Sequence, residues 1–224
     1  MTPVQDTKRF NIYLYGSIVV AVWFAVVASN AHLAFPDPVV ALRGLTLGGA
    51  VAYLLSIAMD RWLWRLPLLQ RINGVPDISG RWEGWFWNTL GQQWLPNAQE
   101  ITQHSWRVSF HSWGPVNESS TISAALLTDG TGKIKLASVY STEVISGASE
   151  PHMGASHLSL SSMGQVTRLF GTYWTNRRRD DGTRGQYGYI RLMRTDKKAL
   201  GGLSFDEKNW AMPKPIEPPE PMRS

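Results

Sequence analysis

Ile78-Ser79-Gly80-Arg81-Trp82-Glu83-Gly84-Trp85-Phe86-Trp87-Asn88 is the stretch that decides the fold. It is dense in aromatics and lacks the 3.6-residue period of a helix, so it reads as a strand. Further strand candidates follow at Gln99–His111, Ser119–Thr128, Lys133–Thr142, His157–Ser162, Val166–Thr175 and Gln186–Arg194. Turn signals separate them: Trp113-Gly114-Pro115, Asp129-Gly130-Thr131-Gly132, Gly147–Gly154 and Asp180-Asp181-Gly182. Asp-Gly is a hairpin dipeptide because both central positions of a type I′ turn need positive φ. About eight short antiparallel strands with almost no helical period argue for an all-β barrel, which leaves no open edge.

The alternation within these strands argues for a cavity. One face of Ser119–Leu127 carries Ser119, Thr121, Ser123 and Ala125; the other carries Ser120, Ile122, Ala124 and Leu126. From Gln103 to His111, one face is Gln103, Ser105, Arg107, Ser109 and His111, opposed by His104, Trp106, Val108 and Phe110. Small hydroxyl-bearing faces leave room inside an eight-stranded barrel for one small ligand. Period alone does not fix which face points inward. Gly80-x-Trp82 resembles the Gly-x-Trp signature of lipocalin- and avidin-like barrels. That resemblance implies a calycin/avidin-like fold in which Trp82 plugs one end and a basic residue of the last strand, Arg191 or Arg194, stacks on it.

Upstream of this domain the composition changes. Only 17% of the 224 residues are charged, and between Phe10 and Met59 the charges are Asp37 and Arg43 alone. From Gly74 onward there are 16 Lys+Arg and 14 Asp+Glu, so a single soluble domain is excluded. The apolar runs at about 10–35 and 38–59 are each long enough to cross a bilayer. Phe35-Pro36-Asp37-Pro38 breaks them into a two-helix transmembrane hairpin. Lys8 and Arg9 precede it and Arg61, Arg65 and Arg71 follow it, which places both termini in the cytoplasm. Trp62 and Trp64 read as an interfacial belt. Small residues recur every four positions, at Ser17, Ala21, Ala25 and Ser29, and at Gly44, Gly48 and Ala52 with Gly49 adjacent. Such ladders let helices approach closely, within one hairpin or between protomers. The expected organisation is residues 1–73 for the hairpin and interfacial linker, 74–200 for a cytosolic ligand-binding barrel, and 201–224 for a Pro-rich, extended and disordered tail.

Nothing in the sequence has the look of catalysis. There is no Gly-x-Ser-x-Gly elbow and no His-Glu-x-x-His helix. Gly130-Thr131-Gly132-Lys133 is too short for a P-loop and sits in a hairpin. Zero cysteines excludes a disulfide framework and thiol chemistry. His104 and His111, an odd number apart, would face opposite sides of one strand, so no metal site or cofactor is expected. The net charge of +5 divides as +3 before Gly74 and +2 after it, which leaves no footprint for a DNA or RNA polymer. The densest signal is Arg168, Arg177, Arg178, Arg179, Arg184 and Arg191 among Tyr173, Trp174, Tyr187 and Tyr189. Arginine forks suit phosphate and aromatic faces suit bases.

The order of Asp77-Ile-Ser-Gly-Arg-Trp-Glu-Gly, Ile101-Thr-Gln-His-Ser-Trp, Glu118-Ser-Ser-Thr-Ile-Ser and Leu169-Phe-Gly-Thr-Tyr-Trp-Thr-Asn-Arg behind two apolar helices resembles one known family. These are the CD-NTase-associated membrane effectors of bacterial CBASS anti-phage systems with a minimal cyclic-nucleotide-binding β-barrel. The resemblance implies a non-enzymatic receptor in the inner membrane, with a cyclic di- or oligonucleotide from a cognate nucleotidyltransferase as ligand. It also implies homo-oligomerisation of the membrane segment on binding, followed by bilayer disruption and abortive infection. Chemistry and motif position then nominate Arg177, Arg178 and Arg107 for phosphate. Tyr140, Tyr173 and Trp106 are nominated for stacking, and Thr121, Ser123 and Thr175 for ribose or phosphate. The competing readings are a tethered barrel for an apolar or lipid ligand, favoured by an apolar cavity with no inward arginine, and a scaffold with a filled core.

Overall fold

The computed structural model describes residues 2–3, 16–23, 25, 38–89, 91–105, 107–145, 150–163, 166–178, 182, 184–217 and 219. It divides into two compact units, one essentially helical and one of strands with the chain that follows them.

In the helical unit, α1 (Pro38–Arg61) starts at the expected proline and runs two residues past the expected end. Residues 42–61 of it are long and apolar enough to cross a membrane, and among the described residues no other helix is. Residues 16–23 and 25 are helical. The rest of the expected first span, and the Phe35–Asp37 turn, lie outside the described residues. Among the described residues there is thus one candidate span where the sequence leads to two. Gly44, Gly48 and Ala52 form a buried stripe on α1, and a Cβ on Gly48 would come within 3.1 Å of the Val19 carbonyl oxygen. Ser17, Ala21 and Ala25 are exposed. At Gly48 the α1 ladder is thus used against Val19 of the same chain, and Ser29 of the other ladder lies outside the described residues. After a single 3-10 turn at Leu63–Arg65, α2 (Pro67–Asn73) begins on a proline and stops at Gly74. Gly74, at φ 64°, donates its N–H to the Gln70 carbonyl, a left-handed cap that glycine adopts without strain. Trp62 is exposed and Trp64 buried.

The second unit is a closed eight-stranded antiparallel barrel: β1 (Gly80–Asn88), β2 (Gln93–Gln103), β3 (Val108–Trp113), β4 (Asn117–Thr128), β5 (Ile134–Val144), β6 (His152–Met163), β7 (Val166–Arg178) and β8 (Arg184–Arg194). Each strand pairs with the next, and β8 returns to β1 through Trp82↔Arg194 to Phe86↔Ile190. Thr2–Pro3 adds a two-residue strand beside Leu127 and Thr128.

Three departures from the sequence reading matter for the site. The expected strand Gln99–His111 is two strands joined through residues 104–107, so parity resets between them. Gln103 faces inward, but so do Val108, Phe110 and Ser112, while His111 faces out beside Glu118 at 3.4 Å. His104 lies in the connection rather than in a strand. In β4 a bulge at Ile122 shifts the register between Thr121 and Ser123. Ser119 and Thr121 therefore face inward before it, Ala124 and Leu126 after it, and Ser123 is turned out. Finally, β2 begins at Gln93 and tolerates Pro96, because its pairing with β3 starts only at Ala98.

The end at which the chain enters the barrel is dry. Ile78, Trp82, Leu136, Leu158, Leu169 and Leu192 are each no more than 1% exposed, and each such aliphatic side chain contributes about 1.5–3 kcal/mol on burial. The Trp82 indole N–H donates to the Ile78 carbonyl at 2.9 Å, and the Ile78 N–H to Gln103 Oε1 at 2.8 Å. Trp82 thus plugs this end. Of the two expected partners, Arg194 lies in register with Trp82 and donates to the Asp77 carbonyl at 2.9 Å. Arg191 stands over Trp94 outside the barrel.

Outside β1 and β2, the expected disordered tail is engaged through Glu217. Trp85 donates to the Met212 carbonyl, Trp94 to that of Glu217, and the buried Trp210 to that of Gly84. Beneath this strap, Arg81 and Glu83 are fully buried and paired at 2.9 Å, and Lys197 reaches Glu83 at 2.6 Å. Outward-facing tryptophans on β1 and β2 need cover, and the strap supplies it.

Candidate ligand-binding cavity

At the other end the barrel holds a cavity of about 120 Å³ that opens at its mouth, room enough for a ring-sized group to enter. Directly opposed residues of an antiparallel pair share a face, so the register shows how its wall is laid. Gln99, Ser112, Ser119, Thr142 and His152 are successive partners across β2 to β6. Thr121, Tyr140, Gly154, Thr175 and Gln186 are successive partners across β4 to β8. All of the first row, and Tyr140, Thr175 and Gln186 of the second, line the cavity.

Two tyrosines dominate the wall, and two glycines make room for them. A Cβ on Gly154 would meet the Tyr140 ring, and one on Gly188 would meet the Tyr173 ring; both are close approaches that only glycine allows. Tyr173 donates its hydroxyl to the Trp87 carbonyl at 2.9 Å. Its ring lies 6.2 Å from that of Phe86, and the Tyr140 ring 6.2 Å from that of Phe110. Burial pushes both phenols well above their ordinary range, so both are neutral donors at physiological pH.

At the mouth, Arg177 and His152 both line the cavity. His152 Nδ1 lies 3.0 Å from the Glu150 carbonyl; a carbonyl only accepts, so Nδ1 carries the proton and Nε2 is left as an acceptor. Burial, with the nearby Arg177 charge, holds the imidazole below its ordinary pKa. Among the described residues, the lining contains no carboxylate. The cavity therefore presents, among the described residues, one permanent cation, one chargeable imidazole, hydroxyls, carboxamides and aromatic faces. That set suits an anion carrying flat rings.

Four of the sequence-nominated residues, Tyr140, Tyr173, Thr175 and Arg177, are brought together here. Thr121 sits on the inner face, but its hydroxyl accepts from Phe110 N–H at 2.7 Å and donates to Phe110 C=O at 2.9 Å, stitching β3 to β4. Arg107 and Ser123 are exposed, and Arg178 is exposed beyond the irregularity after Thr175. Trp106 lies outside the described residues. The sequence reading passed over Gln99, Asn97, Asn88, Gln186 and His152, which also line the wall. A lone glycine within an expected strand, Gly188, was a usable signal of close approach, whereas Gly154 read as the end of a turn and lies in β6, which starts at His152. The Asp129–Lys133 loop is a plain hairpin turn, in which Asp129 Oδ1 collects Thr131 Oγ1, Thr131 N–H and Lys133 N–H. Those bonds, led by the Thr131 hydroxyl, hold its carboxyl well below the usual range. No protein-family model matches the chain, and no curated protein matches it.

Proposed function

We propose that this chain is a membrane-anchored receptor-effector of CBASS anti-phage defence, whose barrel binds a cyclic di- or oligonucleotide. The observation that carries the reading is the cavity: open at one end, free of carboxylates among the described residues, walled by Tyr140 and Tyr173, with Arg177 at its mouth. A dianionic cyclic nucleotide needs cationic and hydrogen-bonding groups for phosphate and ribose, and flat faces for bases. A lipid ligand fits less well, because polar rows line the wall and an arginine faces the cavity. A filled scaffold core does not leave such a space.

In this reading the two apolar segments form a transmembrane hairpin in the inner membrane, with both termini in the cytoplasm. The messenger comes from a cognate nucleotidyltransferase. Preference of the ligand for the assembled form would drive homo-oligomerisation by differential affinity. Membrane disruption then follows from assembly, without catalysis by this chain. The test is thermal shift of the full-length chain in detergent against cyclic di- and trinucleotides, with fatty acids and phospholipids as the rival arm. Stabilisation by at least one cyclic nucleotide at micromolar concentration is expected. Stabilisation by lipids alone, or by nothing, overturns the reading.

A further inference from the structure

Gln99 carries an unspent hydrogen bond. It is 4% exposed, lines the cavity, and its Oε1 has no partner. The other polar side chains around it are engaged. Asn97 Nδ2 donates to Ser112 Oγ at 2.9 Å and to the Trp113 carbonyl at 3.3 Å. Ser119 Oγ and Thr142 Oγ1 lie 2.9 Å apart, and Gln186 Nε2 donates to Asn88 Oδ1 at 2.9 Å. Gln103, two pairs further toward the plugged end, takes the Ile78 N–H. Two other buried polar atoms without partners, Trp64 Nε1 and Thr89 Oγ1, do not line the cavity. An orphaned acceptor costs free energy when water is excluded. Its retention at the inner wall of a cavity, among satisfied neighbours, marks a position where a ligand completes the set.

We propose that the Gln99 carboxamide oxygen is a specificity contact that requires an N–H donor on the edge of the ligand's buried base. The inference rests on the nucleotide-receptor reading and deepens it. Gln99 stands in register with Trp82 on one side and Ser112 on the other, so it sits where the plugged end gives way to the polar rows. Arg177 and His152 stand at the mouth, near the last cavity-facing positions of β7 and the first of β6. A nucleotide entering base-first places phosphate at Arg177 and a base edge toward Gln99, with the rings of Tyr140 and Tyr173 alongside. Adenine, guanine, cytosine and uracil each carry an N–H on that edge; a base stripped of it leaves the oxygen as unpaired as it is without ligand. A site built to complete a hydrogen bond discriminates against the analogue that lacks it far more strongly than a site that is merely the right size.

The test is calorimetric titration of the full-length chain in detergent with 3′,3′-cyclic di-AMP, di-GMP and di-UMP. Each is compared with an analogue whose base has no N–H: the nebularine dinucleotide for the purines and the zebularine dinucleotide for uracil. The expected result is at least a tenfold weaker Kd for the stripped analogue of whichever ligand binds, a ratio falling to within about twofold in Gln99→Met. Gln99→Glu, which keeps an acceptor, retains the discrimination. The unliganded Gln99→Met chain unfolds at the same temperature as the parent or higher, because an unpaired buried acceptor has been removed. A merely structural glutamine would lower that midpoint and leave the Kd ratio unchanged. Equal binding of parent ligand and stripped analogue by the unmodified chain overturns this inference and leaves the receptor reading intact. Absence of binding by all the cyclic nucleotides overturns both.

Discussion

Replacing Arg81 by Met tests whether the strap is held by a buried charge network. The Arg81 side chain is fully buried and makes four hydrogen bonds: Nε to Glu83 Oε1 at 2.9 Å, Nη1 to Glu100 Oε1 at 3.0 Å and to the Gly202 carbonyl at 3.1 Å, and Nη2 to the Leu203 carbonyl at 3.0 Å. Methionine fills much of the volume and replaces none of these bonds. Glu83, itself fully buried, is left with Lys197 and the Ala211 N–H. Removing one partner of a buried ion pair costs about 3–5 kcal/mol. For a chain of this size that lowers the melting temperature by roughly 6–20 °C. The assay is thermal and urea unfolding followed by tryptophan fluorescence, in Arg81→Met, Glu83→Met and the double variant. If the penalty is a stranded charge, the double variant is more stable than Arg81→Met alone. A double variant whose loss equals the sum of the two single losses, or an Arg81→Met loss below about 1 kcal/mol, would refute the reasoning.

Other outcomes follow from the same geometry. Gly154→Ala drives a methyl into the Tyr140 ring and should cost about 1–3 kcal/mol in urea unfolding; a neutral result would mean Tyr140 has another rotamer available. Because burial depresses the His152 pKa in the folded chain, its contribution to stability is intact above 6.5 and is lost as pH falls below it. His152→Asn should flatten that part of the stability–pH curve, and an unchanged slope would assign the effect elsewhere. Arg177→Ala should weaken cyclic-nucleotide binding about tenfold or more, while Arg178→Ala stays near the parent affinity. Gly48→Leu, forced against Val19, should abolish ligand-induced vesicle leakage while nucleotide binding persists, weakened only by the lost coupling to assembly. Gly49→Leu, where a Cβ meets nothing within 4 Å, serves as its tolerated control.

The barrel was legible because period-two alternation and Asp-Gly turns are local signals. The site was only partly so, because inward and outward are decided by parity, and parity is reset by features with little sequence signature. The break at residues 104–107 and the bulge at Ile122 each invert the faces that follow, which turned Ser123 outward and removed Arg107 from any strand. Tyr140, Tyr173 and Thr175 escaped this because β5 and β7 each pair with β6 without a register shift up to them, while Arg177 lines the cavity from within the irregularity that follows Thr175. The strap was missed for a different reason. A proline-rich composition disfavours helices and sheet interiors, but does not stop single carbonyls at Met212 and Glu217 from accepting indole N–H bonds. What called for the strap was upstream: Trp85 and Trp94 on the outside of the barrel.

The stitch at Thr121 has a kinetic consequence. The β3–β4 ladder holds only three register pairs, His111 to Trp113 against Glu118 to Ser120, and a single side-chain hydroxyl on Phe110 takes over where the bulge begins. A ring of strands opens first where its hydrogen bonds are fewest. Amide exchange should therefore be fastest along this seam, and faster still in Thr121→Val, which keeps the shape and loses the stitch. Phe110 and Ser112 on one side and Asn117 and Ser119 on the other all line the cavity. A ligand bridging them would act as a clasp across the seam, and its dissociation rate would be tied to how often the seam breathes.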